Sequence, residues 1–141
     1  MSEVFIDTSA IYAALVADDR VHQASRAALA GLRSQRAHGV SSSFVVQETI
    51  ALLQARIGIR AVRAFHDAFL PTLEVVWITE AIFQRAMASL LAASSRDRSL
   101  ADWSSIEIMR ARGIRRVFAF DRHFVDQGFE VIPEPSSWQP H

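Results

Sequence analysis

The chain has 141 residues, half of them apolar and 9% aromatic, with fifteen basic and fifteen acidic residues that cancel to a formal net charge of zero. This composition excludes intrinsic disorder and a global positive field that would draw the chain to nucleic acid, so any such binding needs a local patch. Cysteine is absent, which removes disulfides, thiolate metal sites and thiol nucleophiles, and all fifteen basic residues are arginine.

In chain order, strands are predicted at 3 to 6 (EVFI), about 38 to 41 (HGVS), 73 to 77 (LEVVW) and 116 to 120 (RVFAF), with a short fifth at 129 to 132. Helical periodicity fills about 9 to 17, 20 to 35, 43 to 57, 59 to 70, 80 to 93 and 100 to 112, with Gly31, Gly58 and Gly113 near plausible ends. Such alternation predicts a single domain over 1–141, a three-layer α/β/α sandwich on a mainly parallel sheet. The proline-rich tail PEPSSWQPH is read as lying over the surface. "MSEVFID" lacks a basic region followed by a long apolar stretch, and no window is long enough for a membrane span; the expectation is a cytoplasmic chain.

Two of the strands end alike, in an apolar run followed at once by an aspartate: Asp7 after VFI and Asp121 after VFAF. The carboxyl ends of parallel strands form the crevice where open α/β sheets bind ligands, so both acids are placed there. In SFVVQETIALLQARI the lone acid Glu48 shares a helical stripe with Phe44 and Leu52, between the wetter Gln47 and Gln54. In SLADWSSIEIMRARG, Asp102 lies in the first helical turn on the face of Ile106 and Met109, with Ser99 able to cap alone; Glu107 reads as solvated. Asp97 reads as a capping or loop residue or as an outer member of the acidic group. His22 and His123 have no evident partner and read as surface residues.

Asp7, Glu48, Asp102 and Asp121 can therefore converge on one crevice, where four carboxylates repel unless some are protonated or a hard cation lies among them. Oxygen-only ligation favours Mg²⁺, or Mn²⁺, over Zn²⁺. Such ions suit phosphate-ester chemistry, by activating water and neutralising the phosphate under attack.

FIDTSA, the lone acid in SFVVQETIALL, DRSLADWSSIEIMRARGI and VFAFDRHFVDQGFEVI together resemble, in order and spacing, the PIN-domain ribonucleases, and within them the VapC-type toxins of toxin–antitoxin pairs. The resemblance implies a compact α/β/α domain, Mg²⁺-dependent endoribonuclease activity, a neutralising antitoxin partner and, as is frequent in the family, a homodimer; in-line displacement by metal-activated water would leave a 3′-hydroxyl and a 5′-phosphate. It makes Asp7 and Asp102 the leading metal ligands, with Glu48 and Asp121 completing the catalytic acidic site and the Ser9 hydroxyl assisting. Arg96, Arg98 and Arg122, which flank the acids, are read as holding the RNA backbone. Three positions depart from the family pattern: Ala101 and Ala119 replace hydroxyl residues, and Trp103 is bulkier than usual. Other readings differ in residues: a receiver-type signalling domain needs a lysine that this chain lacks, and a haloacid-dehalogenase-like phosphatase needs an Asp where Ser9 stands. A non-catalytic PIN module that binds RNA or protein is the alternative to the nuclease.

Overall fold

The computed structural model describes residues 2–138, so the last three residues of the PEPSSWQPH tail lie outside the described residues. Its elements are β1 (Glu3–Ile6), α1 (Thr8–Leu15), α2 (His22–Ser34), β2 (His38–Ser42), α3 (Ser43–Arg56), α4 (Ile59–Ala64), β3 (Glu74–Val76), α5 (Glu80–Ala93), α6 (Leu100–Arg112), β4 (Arg116–Phe118), α7 (His123–Asp126) and β5 (Glu130–Ile132). The five strands form one sheet in the order β3-β2-β1-β4-β5, and every pairing is parallel. The expected mainly parallel sheet is thus wholly parallel among the described residues.

A parallel strand covered on both faces must be apolar throughout. Val4 and Phe5 of the central strand are fully buried, as are Val117 and Phe118 of its neighbour. Truncating a phenylalanine such as Phe118 to alanine in this core should cost about 3–5 kcal/mol, because transfer and cavity terms add. From β1 the chain steps outward to β2 and β3, then crosses back to lay β4 on the other side of β1. Right-handed crossovers put the helices of the outward steps on one face and α5 and α6 on the opposite face. Accordingly α1 packs on α2 and α3, while α5 packs on α6. The reversal between β1 and β4 creates a topological switch point at their carboxyl ends, the place where such sheets bind ligands.

Three local departures from the sequence reading have physical causes. The stretch read as one helix from 59 to 70 is α4 followed by a π turn at Phe65–Phe69 and a 3₁₀ turn at Leu70–Thr72. Pro71 has no N–H to continue the ladder, and the N–H of Leu70 reaches back to Phe65 O, keeping both Phe65 and Phe69 in the core. Gly31 does not end α2, which runs on to Ser34; Arg36, at φ 54°, makes the left-handed turn instead. Gly113, at φ 68°, does terminate α6. The four-residue α7 is too short to show a helical period.

Candidate active site

At the carboxyl end of β1 the backbone turns directly into α1, with Asp7 as N-cap. Asp7 as a whole residue is only 7% exposed. Its Oδ2 accepts from the Ser9 N–H at 3.1 Å and from the Ser9 hydroxyl at 2.6 Å. Ser9 Oγ in turn accepts from the N–H of Phe120 at 2.9 Å, and the Asp7 N–H donates to Phe118 O at 3.0 Å. The ends of β1 and β4 are thereby locked together around this carboxylate.

β2 passes into α3 without a loop, because Ser42 both ends the strand and caps the helix, its Oγ accepting from the Val45 N–H. Glu48 follows in the second turn of α3 and is half-buried. Next to it the buried Thr49 hydroxyl donates to Val45 O at 2.8 Å and lies 3.1 Å from Thr8 Oγ1, fastening α3 to the start of α1. A threonine on an otherwise apolar helical stripe is the only trace of this contact in the sequence. Glu48 lies in the wall of an open groove of about 510 Å³, with Phe44, Leu52, Leu100 and Ala101. This groove adjoins the N-terminus of α6, where Ser99 and Asp102 form a reciprocal capping box: Ser99 Oγ accepts from the Asp102 N–H at 3.1 Å and Asp102 Oδ2 from the Ser99 N–H at 3.0 Å. Asp102 therefore serves the helix end with one oxygen and keeps the other free of it. Asp121 Oδ1 accepts from the His123 N–H at 2.9 Å and lies 3.1 Å from His123 Nδ1.

Two of the four acids, Asp7 and Glu48, sense their acidic neighbours. Burial pushes the Asp7 carboxyl up to about 7; the two Ser9 hydrogen bonds oppose this, and the charges of Asp102 and Asp121 add to it. Glu48 is raised for the same first reason, burial, opposed by the Thr8 hydroxyl and reinforced by Asp102. Among the described residues no arginine is ion-paired with any of the four; only His123 approaches, at Asp121. Asp102 and Asp121 are close enough for their charges to act on the buried Asp7 carboxyl, and the three offer oxygen donors of the kind a hard divalent cation takes, but among the described residues no three of the four acids bring ligand atoms within 4.8 Å of one another.

The tightest grouping of metal-ligand atoms lies elsewhere. Among the described residues, Glu3, His38 and Glu74 form the one group of three whose ligand atoms lie within 4.8 Å of one another. They begin β1, β2 and β3, at the amino edge of the sheet, and Arg112 fills their centre. Its guanidinium donates to Glu74 Oε2 at 2.6 Å and to Glu3, while His38 Nε2 lies 2.8 Å from Glu74 Oε1. Arg112 and then His38 hold the Glu74 carboxyl down at about 2, so this set already carries its cation.

The remaining sequence-selected residues divide. Arg96 and Arg122 are exposed, whereas Arg98 is half-buried over the Trp103 ring. Asp97 and Asp126 are exposed. His22 and His123 do have partners: His22 Nδ1 lies 2.7 Å from Ala13 O, and His123 meets Asp121. Glu107, expected to be solvated, is half-buried at the α5–α6 contact, 3.5 Å from Arg85 Nε. The His22–Ala13 and Arg85–Glu107 contacts join different helices, so no local pattern announces them, whereas Asp121 and His123 are two residues apart in the chain.

A parallel five-stranded α/β domain with carboxylates gathered at its switch point defines a class of acidic-site α/β proteins. The PIN domain family model matches residues 4–130, and the chain belongs to this family. It is 34% identical over 133 residues to the 23S rRNA-specific endonuclease VapC20 of two Mycobacterium tuberculosis strains, covering 93% of this chain and 99% of that protein. The crystal structure of M. tuberculosis VapC20, a sarcin–ricin loop cleaving toxin, superposes with a TM-score of 0.78 at 30% identity, over 89% of this chain and 95% of that one. FitAcB from Neisseria gonorrhoeae shares the fold, with a TM-score of 0.68 at 15% identity over 95% of this chain and 99% of that one. The resemblance to the PIN-domain, VapC-type proteins thus holds over nearly the whole chain. Among the described residues no helix is long and apolar enough to cross a membrane.

Proposed function

We propose that this chain is a metal-dependent endoribonuclease, the toxin of a toxin–antitoxin pair, that cleaves structured RNA at the pocket of Asp7, Glu48, Asp102 and Asp121. The observation that carries the reading is the buried, unpaired Asp7 carboxylate at the switch point, within the field of Asp102 and Asp121. Asp7, Asp102 and Asp121 would hold Mg²⁺, or Mn²⁺ in its place, with Glu48 completing the set. The ion, when bound, supplies positive charge that activates water and offsets the charge of the scissile phosphate.

The protein's own residues do the rest. Ser9 fixes the Asp7 carboxylate between two strand ends, so the site is organised before substrate arrives. Glu48, in the wall of the groove, would accept a proton from the attacking water at a carboxylate oxygen that the ion does not take. Arg96, Arg98 and Arg122 provide the local positive rim that a chain of zero net charge needs to hold phosphates. The likeness to VapC20 makes 23S rRNA the first substrate to try. It also supports an antitoxin partner, and the exposed apolar side chains Ile57, Ile59 and Trp77 give a partner or a second copy something to cover.

Incubating the purified chain with 23S rRNA in Mg²⁺ tests the proposal. Discrete cleavage is expected, abolished by chelation and reduced at least ~100-fold in Asp7→Asn and Asp102→Asn. Intact RNA with every divalent metal, binding being retained, would instead make this a non-catalytic RNA-binding module.

A further inference from the structure

Two of the rim arginines stand on tryptophan rings. The guanidinium carbon of Arg98 lies 4.9 Å from the centroid of Trp103, and that of Arg122 lies 5.7 Å from the centroid of Trp138. Arg122 follows Asp121 directly in the chain, and Arg98 lies four residues before Asp102. An arginine on a flexible stem, one to four residues from a carboxylate in the chain, can close into a charge-assisted pair with it, and at Asp121 only the His123 imidazole now does so. Among the described residues neither arginine does so.

Both rings are fixed independently of the arginines. Trp138 donates its Nε1–H to Pro133 O at 2.8 Å and packs against Phe120 at 5.3 Å between centroids. Phe120 is the residue whose N–H holds Ser9, so this platform is continuous with the backbone that positions Asp7. Trp103 is 8% exposed and packs into the core, and Arg98 above it donates to His123 O at 3.5 Å. The buried Nε of Arg98 has no partner, so the ring face rather than a hydrogen bond at that atom accounts for its placement.

We propose that Trp138 and Trp103 are positioning residues whose ring faces hold Arg122 and Arg98 off the carboxylates, keeping the acidic pocket open to a divalent cation and the guanidinium groups available to RNA phosphates. This rests on the nuclease reading above. An arginine that collapsed onto Asp121 would take the place of the cation and be lost to the phosphates at the same time, so a single aromatic contact serves both needs.

The test compares wild type, Trp138→Leu, Trp138→Phe, Arg122→Gln and the double variant Trp138→Leu/Arg122→Gln. Mg²⁺ affinity is read by calorimetry, and RNA binding by a salt titration without divalent metal. Trp138→Leu should weaken Mg²⁺ binding about three- to tenfold and lower the salt slope of RNA binding by about one phosphate contact. Trp138→Phe should match wild type. Arg122→Gln should lower the salt slope by the same one contact and keep Mg²⁺ affinity, and the double variant should regain Mg²⁺ affinity without regaining that contact. Unchanged Mg²⁺ and RNA binding in Trp138→Leu would overturn the proposal, as would a double variant still as weak for Mg²⁺ as Trp138→Leu, which would make the ring merely structural. A wild type that binds no Mg²⁺ would overturn the nuclease reading and this proposal together, whereas a competent wild type with unaffected variants overturns this proposal alone.

Discussion

Ser9 Oγ lies 2.6 Å from Asp7 Oδ2 and receives the N–H of Phe120 at 2.9 Å, so one hydroxyl joins the ends of two strands through a buried acid. In Ser9→Ala the Phe120 N–H loses its partner, at a cost of about 1–2 kcal/mol in denaturant unfolding. The Asp7 carboxyl loses one of the two bonds that oppose its upward shift, so it should hold its proton to still higher pH. Mg²⁺ affinity measured by calorimetry should therefore fall more at pH 7 than at pH 9, where Asp7 is ionised in both proteins.

Asp7 also makes the metal-free protein sensitive to pH. Its folded value of about 7 stands above the ordinary 3.8, so the folded state binds this proton more tightly than the unfolded chain does. The associated stability is fully present below about pH 4 and is lost as the pH rises through about 7. Asp7→Asn keeps an acceptor for Ser9 and removes the charge. The variant should be more stable than metal-free wild type at pH 8, by about 2–4 kcal/mol, with the difference disappearing near pH 4. Thermal melts across that range in chelator check this, and saturating Mg²⁺ should stabilise wild type but not the variant.

Much of this arrangement is legible in the sequence because the pieces are local. VFI before Asp7 and VFAF before Asp121 read as buried strands ending in acids, so those positions follow from short patterns, whereas Ser99, expected to cap α6 alone, shares the cap reciprocally with Asp102. The strand order does not: nothing near residue 74 or 116 tells which side of β1 either strand joins. Partners chosen by that order are equally hidden, including Ala13 for His22, Arg85 for Glu107, and Arg112 for both Glu3 and Glu74. Trp138 looks like an isolated aromatic in a proline-rich tail until β5 brings it beside Phe120.

Two acidic groups compete for any divalent ion, and charge already present separates them. Around Glu3, His38 and Glu74 the Arg112 guanidinium would have to be displaced before a metal could enter; at Asp7, Asp102 and Asp121 no arginine stands in the way. Glu3→Gln and His38→Ala should therefore leave calorimetric Mg²⁺ affinity within about twofold, while Asp102→Asn lowers it at least ~10-fold. Arg112→Gln should lower the melting temperature by only about one or two degrees at low ionic strength, with the difference shrinking in high salt, because the cluster is exposed.

Asp102 has two jobs that substitution can separate. Its Oδ2 completes the cap of α6 by accepting the Ser99 N–H, which an asparagine oxygen can also do, whereas holding a cation requires the charge. Asp102→Asn should cost stability only its interaction with the helix N-terminus, about 0.3–1 kcal/mol, while RNA cleavage falls at least ~100-fold. Asp102→Ala should lose the reciprocal bond as well and fall about a further 1 kcal/mol in denaturant unfolding. Asp97→Asn, in the exposed turn before the cap, should change initial cleavage rates less than about twofold. If Asp102→Asn instead cleaved RNA at the wild-type rate, the carboxylate of α6 would be a cap alone, and the divalent ion would have to be held by Asp7 and Asp121 without it.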